Sequence, residues 1–226
     1  RAFYERVIDM KIGVIDYGMG NLYSVEQALL RLECEVFITA DINTLNQMDG
    51  YLLPGVGAFP DAMNKLSEFG MDEYIKNLAK MNKPLLGICL GMQLLYEDSK
   101  ENGLTKGLGI FKGNIQKFDA LDSQQHQVRI PHMGWNPLSF AHQPEWLNGL
   151  EKEDSTHVYF VHSYLAQNTR QNEVVASSIY AGHFVPGLVQ KDNFTGMQFH
   201  PEKSGPFGKY LLAKWVQQVQ ERRNRL

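Results

Sequence analysis

Cys89 ends the apolar run Pro84-Leu85-Leu86-Gly87-Ile88 and stands between Gly87 and Gly91. If the run is a strand and the amphipathic stretch Gln93-Leu94-Leu95-Tyr96-Glu97 a helix, the sharp turn between them is a nucleophile elbow. Small neighbours let the backbone take a strained turn, and a helix N-terminus favours the thiolate, the reactive form of the side chain. The plain alternative is a buried cysteine beside two packing glycines, and what separates the readings is a base. Gln198-Phe199-His200-Pro201-Glu202 supplies one, just past the strand-like Phe194-Thr195-Gly196-Met197. A neutral imidazole accepts a thiol proton, and a carboxylate on its second nitrogen fixes the tautomer and stabilises the imidazolium. Cys89, His200 and Glu202 are therefore the candidate nucleophile, base and orienting acid. Their separation along the chain is no obstacle, since such sites assemble in space.

A second turn adds electrophilic help. Pro54-Gly55-Val56-Gly57-Ala58-Phe59 follows the short run Gly50-Tyr51-Leu52-Leu53, and ligands bind where parallel strands end. Peptide N–H groups there can face a ligand, so the N–H of Leu90 and a donor from Val56 or Gly57 are candidates for holding an oxyanion. Taken alone, the turn is equally an ordinary type II turn. Neither glycine turn reads as a nucleotide site. Tyr17-Gly18-Met19-Gly20-Asn21 lacks the third glycine of a dinucleotide fingerprint, and Pro54-Gly55-Val56-Gly57 lacks the Lys-Ser/Thr of a phosphate loop. No His, Cys, Asp or Glu cluster has zinc spacing, so neither metal nor cofactor is expected.

The elements that must position these residues alternate. Lys11 to Asp16, Glu35 to Ile38, Gly50 to Leu53 and Pro84 to Ile88 read as buried strands. Between them lie a helix with Leu22, Val25, Leu29 and Leu32 at helical spacing, and a mostly helical Phe59 to Lys80 broken at Gly70. The expectation is an α/β fold, one domain with a mainly parallel sheet flanked by helices. After about residue 107 the runs shorten. Asn114 to Phe118, Gln127 to Pro131, His157 to Val161, Val174 to Tyr180 and Gly187 to Gln190 predict antiparallel strands added in the C-terminal half. A helix over Pro206 to Val219 closes the domain through Leu211, Leu212, Trp215 and Val216, and the basic tail Glu221 to Arg225 is expected to be solvated.

Composition bounds the rest. With 226 residues, 43% hydrophobic and 21% charged, the chain suits one large globular domain. A net charge of −3 argues against a nucleic-acid surface. Two cysteines cannot build a disulfide framework, and no apolar run is long enough for a membrane helix. The cytoplasm is the expected compartment, with neither nucleic acid nor membrane as partner. Arg1 to Asp9 do not lead into the first strand and read as an added or disordered leader before a domain spanning residues 10–226.

Gly87-Ile88-Cys89-Leu90-Gly91-Met92-Gln93, together with Gln198-Phe199-His200-Pro201-Glu202, resembles the class I (triad) glutamine amidotransferases over nearly the whole chain. More narrowly, four segments resemble the glutaminase subunits of imidazole glycerol phosphate synthase. They are Asp16-Tyr17-Gly18-Met19-Gly20-Asn21-Leu22, Pro54-Gly55-Val56-Gly57, Pro131-His132-Met133-Gly134-Trp135-Asn136 and His200-Pro201-Glu202-Lys203-Ser204. The resemblance implies hydrolysis of glutamine through a cysteinyl thioester. It implies that Gln93, Gly57 and the backbone of Ser163 and Tyr164 line the substrate pocket, with Glu101 pairing the substrate ammonium. It also implies a (β/α)₈ cyclase subunit as partner in a heterodimer, which receives the ammonia for histidine biosynthesis. Asn21, Met133, Trp135, Tyr159 and Lys203 are the implied contacts. Trp135 is otherwise a core residue, and His162 is either catalytic or a rim histidine with satisfied hydrogen bonds. The alternatives are the glutaminase of another synthase (pyridoxal phosphate or anthranilate), a stand-alone cysteine peptidase or γ-glutamyl hydrolase, and a non-catalytic module.

Overall fold

The computed structural model describes residues 10–121 and 124–225; the leader expected over residues 1–9 lies outside the described residues. Strands and helices alternate in the first half: β1 (Lys11–Ile15), α1 (Leu22–Leu30), β2 (Glu35–Thr39), α2 (Ile42–Leu45), β3 (Gly50–Leu53), α3 (Phe59–Glu68), α4 (Met71–Lys80), β4 (Leu85–Ile88) and α5 (Leu90–Leu94). The second half is strand-rich: β5 (Asp98–Ser99), β6 (Thr105–Lys106), β7 (Asn114–Lys117), β8 (His132–Pro137), β9 (Ser139–Phe140), β10 (His157–His162), β11 (Tyr164–Gln167), β12 (Val174–Tyr180), β13 (His183–Lys191) and β14 (Phe194–Met197). Helix α6 (Gly205–Arg225) follows.

The main sheet runs in the order β2-β1-β3-β4-β14-β13-β12-β9. Its first five strands are parallel, and β13, β12 and β9 extend it antiparallel. Period-two alternation splits the apolar residues between two layers. Ile12, Val14, Leu52, Leu86 and Ile88 face Val25 and Leu29 of α1 and Leu211, Trp215 and Val216 of α6. Ile15, Tyr51, Leu53 and Leu85 face Leu45, Leu66, Ile75 and Leu78. Each such fully buried side chain contributes about 1.5–3 kcal/mol before entropy is counted.

For the site, one pairing matters most. β14 lies parallel to β4, with Met197 opposite Ile88. Cys89 directly follows β4 and His200 comes shortly after β14, so two distant segments leave the sheet side by side at the C-terminal ends of its strands. Two small sheets, β10-β8 and β11-β7-β5-β6, stand beside this edge.

Three expectations need correction. Gln127 to Pro131 is not a strand: it makes one bridge, Gln127 to Leu121, before the Ile130–Pro131 bond and β8. Pro131 has no N–H to give a ladder, so pairing begins only at His132. The stretch Gln93 to Glu97 is not an amphipathic helix. α5 ends at Leu94, all five of its residues are buried, and Leu95 and Tyr96 are buried beyond it. The closing helix runs past Val219 to Arg225, and Arg223 meets Asp49 at 3.3 Å. Cations stabilise a helix C-terminus, which explains why the basic tail stays helical.

Candidate active site

Cys89 has φ 53° and ψ −113°, a left-handed backbone that side chains rarely adopt. Its N–H donates to the Met197 carbonyl at 2.8 Å, which ties the turn to β14. The two glycines are needed for close approach. A Cβ on Gly91 would stand 1.9 Å from the Leu53 carbonyl oxygen, and one on Gly87 would meet the Gly91 carbonyl oxygen at 2.8 Å. α5 is thereby pressed against the end of β3, with the thiol at the turn.

His200 begins a short 3-10 turn, Pro201–Lys203. Its Nδ1 lies 2.8 Å from Glu202 Oε1, and both side chains are almost fully buried. Its N–H donates to the Tyr159 carbonyl, and Ser204 Oγ donates to the His200 carbonyl while accepting the Tyr159 N–H. These three bonds staple the turn to β10. Burial alone would lower the imidazole pKa. Hydrogen bonds to Cys89 and Glu202, and the negative charge of both, outweigh it and raise it to about 9.

A cavity of about 410 Å³ opens at this point, lined by Val56, Gly57, Cys89, Leu90, Gln93, Glu101, Ser163, Tyr164, His200 and Lys203, with Pro131, Val161 and His162. Every residue that the sequence assigned to substrate or oxyanion lines it, and Glu202 stands behind His200. The Tyr17 hydroxyl donates to the Pro54 carbonyl at 2.8 Å, so the two glycine turns pack on one another. Burial and the neighbouring Cys89 push the Tyr17 phenol far above its usual range. Glu101 accepts the Phe59 N–H at 2.8 Å, capping α3, whose Ala58 N-cap has no side-chain bond. Gln93 Nε2 donates to the Tyr164 carbonyl and to Gln198 Oε1, both at 2.9 Å. A larger hollow, about 620 Å³, opens at the opposite end of the sheet among Asp49, Lys83, Asn193 and Arg222; its lining has neither cysteine nor histidine.

Of the residues assigned to a partner, Met133, Trp135, Tyr159 and Lys203 lie in one neighbourhood. Met133 and Trp135 are 52% and 53% exposed, so Trp135 is not a core residue. The Trp135 ring meets the half-buried Tyr159 edge-on at 6.0 Å, and its tip covers Gly205, close to exposed Lys203. Asn21 caps α1, accepting the Ser24 N–H at 3.4 Å, and α1 packs against the Pro201–Lys203 turn.

Sequence reasoning overlooked Gln198, whose Nε2 approaches Cys89 Sγ at 3.9 Å, and the inward role of His132. Alternation along Gln198-Phe199-His200 and His132-Met133-Gly134 was the available signal for both. His162 has both ring nitrogens engaged, by the Tyr164 carbonyl at 2.7 Å and His132 at 2.9 Å. Among the described residues, no group of three or more His, Cys, Asp or Glu is placed to hold a metal, and no helix is long and apolar enough to cross a membrane.

A family model described as Glutamine amidotransferase class-I matches residues 13–219. The chain is 47% identical over 213 residues to the imidazole glycerol phosphate synthase subunit HisH of Geobacillus thermodenitrificans, covering 94% of this chain and 98% of that one. It is 49% identical over 209 residues to the HisH subunit of Shouchella clausii, covering 92% and 99%. A solved glutamine amidotransferase superposes with a TM-score of 0.69 at 18% identity, covering 92% and 98%, which speaks for the fold alone.

Proposed function

The chain belongs to the class I glutamine amidotransferases, and from that premise we propose that it is the glutaminase subunit of an imidazole glycerol phosphate synthase. Cys89 attacks the carboxamide carbon of glutamine as the thiolate. The tetrahedral oxyanion rests on the Leu90 N–H and a donor from Val56 or Gly57, each such donor being worth roughly 3–4 kcal/mol of barrier. The C–N bond breaks as the His200 imidazolium, held by Glu202, protonates the departing ammonia, leaving a glutamyl thioester. Water then gives its proton to His200 and attacks the thioester, releasing glutamate and the free thiol. Gln93, Glu101, Gly57, Ser163 and Tyr164 hold the amino-acid end of the substrate.

The observation that supports this reading best is the 2.8 Å His200–Glu202 bond beside Cys89 at the rim of one cavity. Ammonia released into water at neutral pH becomes ammonium and is lost as a nucleophile. A docked cyclase chain that takes it directly avoids this, and Met133, Trp135, Tyr159 and Lys203 form the face for it. A thiol nucleophile and two unpaired cysteines suit the reducing cytoplasm.

The test is synthase activity of the chain with separately purified cyclase, comparing glutamine with ammonium salts as nitrogen donor. Cys89→Ala should abolish the glutamine-dependent reaction and spare the ammonium-dependent one. Ammonia release from glutamine by Cys89→Ala would refute the assignment. The isolated wild-type chain should turn glutamine over weakly, because the resemblance implies that the Val56 or Gly57 donor turns toward the oxyanion only when the cyclase and its ligand are bound.

A further inference from the structure

β8 and β10 pair with His132 opposite His162 and Trp135 opposite Tyr159, so their ribbon has two distinct faces. Met133 and Trp135 point out. His132, fully buried, lies stacked between Phe160 at 4.5 Å and Tyr180 at 4.0 Å on the other face. Its Nδ1 is 2.9 Å from His162 Nε2, and its Nε2 is 2.9 Å from Asn136 Oδ1.

With both rings neutral, the Tyr164 end of this row sets the protons along it. The Tyr164 carbonyl only accepts, so the His162 hydrogen sits on Nδ1. A neutral His162 then accepts at Nε2, which puts the His132 hydrogen on its own Nδ1. His132 Nε2 is left as an acceptor, so the neutral row has the Asn136 amide turned end for end, with its N–H in place of Oδ1 toward the ring. Burial disfavours the charged form of both rings, holding His162 down to about 3. The Tyr164 carbonyl also takes the Gln93 N–H, and Gln93 continues through Gln198 to the thiol.

We propose that Asn136, His132 and His162 form a neutral hydrogen-bond relay that positions the Tyr164 carbonyl and Gln93, linking the glutamine pocket to the strand whose outer face meets the partner. The proposal rests on the amidotransferase reading and adds the inner face of β8 to it. His132 and His162 are positioning residues here and exchange no proton with the substrate.

The decisive measurement is glutamine KM and kcat in the complex with the cyclase. His132→Phe keeps an aromatic ring in the stack but removes both nitrogens. It should raise the glutamine KM about tenfold, change kcat less than threefold, and leave the ammonium-dependent reaction intact. His132→Asn, which returns a donor near the Nδ1 position, should bring KM back to within about threefold of wild type. Asn136→Ala, at the half-buried end, should raise KM in the same direction and serves if His132→Phe does not fold. Nitrogen-15 spectra of the isolated wild-type chain at neutral pH should show both rings as neutral Nδ1–H tautomers. An unchanged KM in His132→Phe and Asn136→Ala, or either ring as the Nε2–H tautomer or the cation, overturns the relay while the amidotransferase reading stands. A wild-type complex unable to use glutamine removes that reading and the relay's function with it.

Discussion

His200 shows how a single side chain takes its properties from its neighbours. Its pKa stands at about 9 rather than the ordinary 6.5, because contacts with Cys89 and Glu202 outweigh burial. A raised pKa means that the fold favours the imidazolium. That contribution to stability is complete below pH 6.5 and is lost as pH rises through about 9. In the proposed mechanism the same imidazolium is the acid that releases ammonia. Glu202→Gln keeps an acceptor at Nδ1 but removes the charge, so the alkaline limb of kcat/KM for glutamine should move to lower pH. An unmoved limb in the pH profile of the complex would show that Glu202 does not hold His200 charged. The candidate triad is legible in the sequence because its glycines and His-Pro-Glu order are local. Gln198 was not, since its role depends on Gln93 and Cys89, both far away along the chain.

At the scale of elements, the elbow is a contact between α5 and β3 as much as a turn after β4. A backbone strained like that of Cys89 costs about 1–3 kcal/mol and persists only where its surroundings over-determine it. Here the Cys89 N–H bond to Met197 and the approach of Gly91 to Leu53 do so. Gly91→Ala should therefore lower stability by about 1–3 kcal/mol or more and displace the thiol. Urea unfolding with a coupled glutaminase assay measures both, and a variant with wild-type stability and turnover would show that the approach is not tight. The parallel half was readable because each strand is a short apolar run between turn residues. Gln127 to Pro131 looked similar, but Pro131 denies it a donor. α5 misled in the opposite sense: it is covered on all sides, so its residues carry no polar face to set a period.

Across the whole molecule the two ends of the sheet have different chemistry. The C-terminal end gathers Cys89, His200 and the cavity, and the opposite end gathers Lys83, Arg222, Arg223 and Arg225. The buried histidines link the site to overall stability. His162 stays neutral down to about pH 3, whereas an unfolded histidine takes up its proton near 6.5. Below 6.5 the unfolded chain thus binds the extra proton, and stability falls by about 1.4 kcal/mol per pH unit toward 3 on this account. Urea midpoints between pH 7 and 5 should drop more steeply for wild type than for His162→Gln, and equal slopes would sink the claim. From its residue order alone the chain dictates where strands start and stop, which turn can bend sharply at Cys89, and which acid follows His200, because these depend on neighbours a few residues apart. Only the tertiary structure decides that β14 lies against β4, bringing thiol and imidazole together, and that His132 and His162 are buried side by side. Strand partnership and desolvation arise from groups that meet only when the whole sheet has formed.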